Sequence, residues 1–140
     1  MVTKGKKVRT IIKTVLSLLL IIVAADCLIE TSKNNGNTTM FGYSPAVVQS
    51  GSMLPLIKIK STIVTKLGDI EDCEVGDIIV YKYQDIQIVH RVISKETVDT
   101  KIVVHTKGDN NKNEDMLDIT SDMYVGKVVK IMNWTSKILG

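Results

Sequence analysis

The sequence of 140 residues is poor in aromatic, proline and cysteine side chains, and each shortage excludes a class of protein. Aromatic residues make up 4% of the chain, too few for a surface that stacks the bases of single-stranded nucleic acid. Two prolines, nine glycines and a hydrophobic content of 44% exclude collagen-like, mucin-like and disordered chains. Cys27 and Cys73 form neither a disulfide framework nor a C-x-x-C pair, and His90 and His105 alone do not complete a zinc site.

Acidic residues are absent from the first 13 positions, which hold five basic side chains: Lys4, Lys6, Lys7, Arg9 and Lys13. The other 127 residues carry 13 basic and 15 acidic side chains, so the basic character is confined to the N-terminus. A nucleic-acid-binding protein would place its excess of positive charge on a folded surface. We therefore expect no nucleic-acid partner.

An apolar segment of 19 residues, 11–29, follows the basic start and is interrupted only by Lys13 and Asp26. About 20 helical residues cross a bilayer, so the segment predicts a transmembrane helix. A cleaved signal peptide and a buried core helix are the alternatives. The positive-inside rule places residues 1–10 in the cytoplasm and the rest, after the helix, outside it. This predicts a single-pass protein of the cell membrane, with a linker at 30–43 and a domain at 44–140. The polar residues from Glu30 to Thr39 predict a loop within that linker.

The segment from residue 44 onward predicts an all-β domain. Short runs rich in Val, Ile, Thr and Tyr alternate with Gly, Asp and Asn. Lysines interrupt the last apolar stretch, so we expect no second membrane span within Tyr124 to Leu139. The clearest strand candidates are Thr62 to Lys66, Asp77 to Tyr83, Ile86 to Ser94, Lys101 to Thr106 and Tyr124 to Met132.

Serine is a better candidate nucleophile than cysteine in this sequence. Cys73 lies in an acidic stretch, and neighbouring carboxylates raise the pKa of a thiol. Ser50 and Ser52 flank Gly51 and are followed by Pro55. Glycine permits a tight backbone path that would present a hydroxyl beside free N–H groups, although the same composition is common in ordinary loops.

One histidine lies on an apolar stripe. With the strand period of two, Ile86, Ile88, His90 and Val92 share one face of a strand. A core histidine with one hydrogen-bond partner would fit this position. So would a general base whose neutral form is favoured by desolvation.

A turn rich in Asp and Asn follows the next strand, at Gly108 to Asn111, with Asp115 beyond it. A solvated turn has this composition. Alternatively, Asp109 or Asp115 orients the histidine in a catalytic triad. The spacing of a calcium-binding loop is absent, because the glycine precedes the first aspartate.

Taken in order, the anchor, Ser-Gly-Ser-Met, Val-His-Arg and Gly-Asp-Asn-Asn with a later Asp resemble the type I signal peptidases. Within them the chain is similar to the endoplasmic-reticulum and SipW-like branch, which has histidine where most bacterial relatives have lysine. The resemblance covers residues 10–132 and includes Gly76-Asp77-Ile78 at a strand entry. It implies an all-β signal-peptidase-like domain after one membrane helix.

The resemblance also implies residue roles. Ser52 matches the nucleophile, Ser50 the residue that assists the backbone N–H of Ser52 in the oxyanion hole, and His90 the general base. Asp109 and Asp115 both match candidates for the partner of the base. The segment Tyr43 to Gln49 resembles the strand that binds substrate, through Val47, Val48 and Gln49.

The implied activity is a membrane-bound serine endopeptidase that removes signal peptides from exported preproteins. Its implied partners are signal peptides, membrane lipid and the secretion translocon, and it implies no cofactor and no metal. Two alternatives stay open. An autoproteolytic repressor of the LexA type would need a lysine base and a DNA-binding domain. A membrane-anchored β-domain adaptor would need no catalysis.

Overall fold

The computed structural model describes residues 4–33 and 39–133, in two compact units, Met1–Phe41 and Gly42–Gly140. The first unit contains helix α1, Lys4–Lys33. Within it, Gly5–Ala25 is long and apolar enough to cross a membrane, with a mean hydropathy of 2.2 and none of its residues buried. The threonine hydroxyls at 10 and 14 donate to carbonyls one turn earlier, which satisfies them without water.

Helix α1 extends beyond the predicted span of residues 11–29 at both ends. The predicted loop at Glu30 to Thr39 is therefore wrong over residues 30–33, which are helical. Those four residues are polar, but none is glycine or proline, and the first glycine after the apolar segment is Gly36. Polarity alone did not end the helix. Residues 34–38 of the predicted linker lie outside the described residues, as do residues 1–3 and 134–140.

The second unit is a six-stranded antiparallel sheet, which confirms the all-β prediction. Its strands lie in the order β1-β2-β6-β3-β4-β5. Among the described residues, one 3-10 turn, Ile70–Asp72, lies between β2 and β3. The strands are β1 (Tyr43–Val47), β2 (Thr62–Leu67), β3 (Ile78–Tyr83), β4 (Ile86–Val98), β5 (Lys101–Lys107) and β6 (Tyr124–Met132).

The alternation of side chains along β3 supplies both faces of the sheet with core residues. Ile79 and Tyr81 belong to one buried cluster, with Val92, Val104 and Ile119. Ile78 and Val80 belong to the other. This second cluster contains Met53 and Ile57, which fix the long connection between β1 and β2. The core thus anchors the segment that carries the two candidate serines.

Two tight hairpins hold β4 between β3 and β5. Gln84 and Asp85 join β3 to β4 with positive φ at both positions, and Asp99 and Thr100 do the same between β4 and β5. Paired positive φ values match the twist of adjacent antiparallel strands. Because β4 is paired on both sides, the histidine on it has a fixed position.

Candidate active site

The Ser-Gly-Ser segment lies in the connection after β1. The Oγ atoms of Ser50 and Ser52 are 3.3 Å apart. Immediately after them, Leu54 N donates to Gly51 O at 3.2 Å and Ile57 N donates to Met53 O at 2.9 Å. Met53 is 1% exposed, so the residue next to Ser52 is anchored in the core while Ser52 itself is only half-buried.

The turn at Gly108–Asn111 packs directly against the backbone of this segment. Asn110 N donates to Ser52 O at 2.8 Å, and Asn110 Nδ2 donates to Gly51 O at 3.2 Å. A Cβ atom on Gly108 would lie 2.8 Å from Ser52 O, a separation that side chains do not adopt. Glycine at 108 is therefore needed for the close approach of the two loops.

His90 lies on β4, is 7% exposed, and is paired with an acid from the loop after β5. Its Nδ1 atom is 2.5 Å from Oδ2 of Asp115. Because a carboxylate only accepts hydrogen bonds, a neutral imidazole in this pair donates from Nδ1 and keeps Nε2 as an acceptor. A histidine held in this way is suited to take a proton from a hydroxyl.

Asp115 receives two further hydrogen bonds at the same oxygen. Thr106 Oγ1 donates to Oδ2 at 2.6 Å, and Tyr81 Oη donates to it at 3.2 Å. Burial, with the nearby negative charge of Asp115, raises the pKa of Tyr81 to about 12. Tyr81 is therefore protonated at neutral pH and available as a donor.

Asp109 pairs with Arg91 rather than with His90. Its two carboxylate oxygens accept from Nε and Nη2 of Arg91 at 2.8 and 2.6 Å, a bidentate pair. Arg91 Nη1 also donates to Gly76 O at 2.8 Å. The hydrogen bonds to Asp109 raise the pKa of Arg91 above its usual range, more than burial lowers it. Of the two aspartates left open by the sequence, Asp115 lies against His90 and Asp109 ties its own turn to β4.

A cleft of about 760 Å³ lies beside both the Ser-Gly-Ser segment and His90. Both Ser52 and His90 line it, together with Ser50 and Asn111. The end of β1 and the hairpin between β3 and β4 form its walls. The residues from those walls are Ala46, Val47, Val48, Gln49, Asp85, Ile86, Gln87, Ile88 and Val89.

The three residues expected to bind substrate differ in how their backbones are used. Val48 N donates to Ser61 O at 2.9 Å, and Val48 O accepts from Lys60 N at 2.7 Å. Because backbone groups alternate in direction along a strand, those of Val47, the last residue of β1, point away from β2. All three residues line the cleft, and the backbone groups of Val47 are not used by β2.

Cys73 and His105 lie outside the cleft. Cys73 is buried, and its burial raises the pKa of the thiol, which agrees with its rejection as a nucleophile. His105 contacts Glu96 and Asp118 on another part of the sheet. Among the described residues, no three His, Cys, Asp or Glu side chains form a group that could hold a metal ion.

The sequence alone assigns no role in the site to Thr106, Tyr81 or Arg91. Arg91 follows His90 on the same strand, so the strand period predicts that its side chain lies on the opposite face of the sheet. Thr106 and Tyr81 give no such signal, because their contact with Asp115 depends on strand pairing across the sheet.

Comparison with known proteins gives relatives of one kind, although no protein-family model matches the chain. Signal peptidase I W of Bacillus subtilis is 30% identical over 105 residues, which are 74% of this chain and 55% of that protein. The signal peptidase complex catalytic subunit SEC11 of Scheffersomyces stipitis is 40% identical over 77 residues, 53% of this chain and 46% of the subunit. SEC11 of Ogataea parapolymorpha is 36% identical over 91 residues, 56% of this chain and 51% of the subunit. The chain spans about half the length of these relatives, which are peptidases by name.

Proposed function

We propose that this chain, a homologue of signal peptidase I W and of the SEC11 catalytic subunits, is a membrane-anchored serine endopeptidase that cleaves signal peptides from preproteins. Ser52 is the nucleophile, His90 the general base and Asp115 the partner of the base. One observation carries the assignment. The 2.5 Å contact between His90 Nδ1 and Asp115 Oδ2 leaves Nε2 as an acceptor on a histidine that lines the same cleft as Ser52.

The reaction begins with proton transfer from Ser52 Oγ to His90 Nε2. Oγ attacks the carbonyl carbon that precedes the scissile bond, and the carbonyl oxygen becomes an oxyanion. His90 then gives its proton to the departing amine as the C–N bond breaks. Water, deprotonated by His90, hydrolyses the ester on Ser52 and restores the enzyme.

The Ser-Gly-Ser segment supplies the donors that stabilise the oxyanion. The Ser50 hydroxyl, 3.3 Å from Ser52 Oγ, is close enough to reach an oxygen bound beside the nucleophile. The backbone N–H of Ser52 is the second donor. Loss of one such donor lowers the rate by roughly 100- to 1000-fold in related chemistry.

The substrate lies in extended form along the edge of the sheet. β1 is an edge strand that pairs only with β2 among the described strands. Val47, at the end of β1, presents its backbone groups to an added strand, and Val48 and Gln49 line the cleft beside it. Edge pairing selects an unfolded segment, which suits the region around a signal-peptide cleavage site.

Helix α1 anchors this domain to a membrane. Five basic residues precede or begin its apolar part, so residues 1–10 lie in the cytoplasm and the β domain outside the cell membrane. Lipid and the secretion translocon are the neighbours expected there. Protease added to intact cells should digest the β domain, whereas protection until lysis would contradict this topology.

Cleavage of a purified preprotein by the full chain in detergent micelles tests the activity. Ser52→Ala and His90→Ala should each abolish cleavage while the protein stays folded. Ser121→Ala and His105→Ala are the matched controls, because neither residue lines the cleft, and both should retain activity. A folded wild-type chain that binds preprotein without cleaving it would instead identify an adaptor.

A further inference from the structure

Three neighbouring strands each direct one polar side chain to the same side of the sheet. Tyr81 on β3 pairs with Ile88 on β4, and Thr106 on β5 pairs with Val92 on β4. His90 lies between Ile88 and Val92 with the same orientation, because residues two apart share a face. The side chain of Asp115 meets all three: the phenol, the imidazole and the hydroxyl.

Thr106 holds Asp115 at two points. Its carbonyl oxygen accepts from Asp115 N at 2.9 Å, and its hydroxyl donates to Asp115 Oδ2 at 2.6 Å. Thr106 is fully buried on β5, so neither contact is exchanged for water easily. A backbone bond and a side-chain bond to the same residue together restrict the rotation of the carboxylate.

Tyr81 contacts both members of the pair. Its hydroxyl donates to Asp115 Oδ2, and its ring meets the His90 ring at an interplanar angle of 64° with centroids 6.4 Å apart. This edge-to-face arrangement limits the tilt of the imidazole. Tyr81 is 1% exposed and packed in the core, so it is a rigid contact.

We propose that Thr106 and Tyr81 are positioning residues that fix the carboxylate of Asp115 and thereby hold His90 with Nδ1 protonated and Nε2 directed into the cleft. This inference rests on the proposed function, since the benefit appears in proton transfer. The Asp115 side chain is only 15% exposed, and its negative charge needs donors in place of water. Hydroxyls supply them without a positive charge that would compete with a protonated His90.

Paired substitutions at Thr106 separate the hydroxyl from the shape of the side chain. Thr106→Val keeps the shape and removes the donor, and we expect kcat for preprotein cleavage to fall about 10- to 100-fold with KM unchanged. Thr106→Ser keeps the donor and should stay within about threefold of the wild type. Tyr81→Phe keeps the ring and removes a longer hydrogen bond, so its loss should be smaller, about 3- to 10-fold.

A double-mutant cycle shows whether Thr106 acts through Asp115. In an Asp115→Asn background, Thr106→Val should lower the remaining activity less than about twofold, because the carboxylate is already gone. Thr65→Val is the matched control, since Thr65 is equally buried on β2 and takes no part in the site, and it should leave kcat unchanged. An equal loss from Thr106→Val in both backgrounds would show a general effect on folding and overturn the proposal.

Proton NMR of the full chain in micelles gives a readout that does not depend on cleavage. The proton between His90 Nδ1 and Asp115 should be strongly deshielded, absent in His90→Ala, shifted in Thr106→Val and restored in Thr106→Ser. If the wild type cleaves no preprotein while the resonance responds in this way, the proposed function fails and the positioning stands. If the resonance is unchanged in both Thr106→Val and Tyr81→Phe, the positioning proposal is wrong.

Discussion

His90 Nδ1 and Asp115 Oδ2 are 2.5 Å apart, although 25 positions separate the two residues in the sequence. The contact depends on three local features. The hairpin at Asp99 and Thr100 returns the chain beside β4, β5 carries it past His90, and Asp115 N is bonded to Thr106 O. The same geometry leaves Asp109 on Arg91, so the two aspartates have different tasks.

Asparagine at each aspartate should separate those tasks. Asp115→Asn should lower kcat at least ~100-fold, because an amide beside Nδ1 favours the wrong tautomer and orientation of His90. Asp109→Asn weakens the bidentate pair with Arg91 and loosens the turn that contacts Ser52 O, so we expect a smaller loss, about 3- to 30-fold. Steady-state kinetics on both variants, with circular dichroism to confirm folding, is the measurement. A larger loss at Asp109 than at Asp115 would reverse the assignment.

A methyl group at Gly108 should displace Ser52, the proposed nucleophile, by a clash with its backbone rather than with its hydroxyl. The added Cβ would lie 2.8 Å from Ser52 O and 2.8 Å from Asn111 Nδ2, so the two loops must separate. We expect Gly108→Ala to lower kcat/KM at least about tenfold, since small displacements of reacting groups are costly. Gly68→Ala is the control, because its Cβ would meet only Asp72 Oδ2 at an ordinary 3.9 Å. Equal activity in the two variants would show that the contact of the loops does not position Ser52.

The sequence predicts the sheet correctly, but it does not predict how the candidate site residues are arranged on it. Alternation along β4 placed His90 on a strand face correctly, because that periodicity is local. The end of helix α1 was missed, because four polar residues without glycine or proline remain helical. Strand β1 contains Ser44 and Pro45, which are uncommon in strands, so it is not among the clearest strand candidates and is expected from the family resemblance. The separation of Asp115 from Asp109 depends on cross-strand register, which no local pattern encodes.

The hairpin that joins β4 to β5 should tolerate, and gain from, glycine at its second position. Thr100 adopts φ 70°, a conformation that is unfavourable for a β-branched residue. Glycine has no such penalty in a turn of this kind, so Thr100→Gly should raise the free energy of unfolding by about 0.5–1 kcal/mol. Chemical unfolding of the full chain in detergent measures the change. Lower stability would mean that the Thr100 side chain makes contacts worth more than the strain.

Tyr81 should make the stability of the β domain sensitive to alkaline pH. Burial raises the pKa of Tyr81 to about 12, whereas an exposed tyrosine in the unfolded chain titrates near 10. The folded state favours the neutral phenol, so the stabilisation is complete below about pH 10 and is lost as the pH rises from about 10 to about 12. A difference of about two pKa units corresponds to about 2–3 kcal/mol. The free energy of unfolding of the wild type should therefore fall over that range by this amount more than that of Tyr81→Phe. Burial also raises the pKa of Tyr124 and Cys73, but these groups are present in both proteins and cancel in the difference. Parallel pH profiles for the two proteins would mean that the Tyr81 hydroxyl is hydrated, and the hydrogen bond to Asp115 would then contribute little to the site.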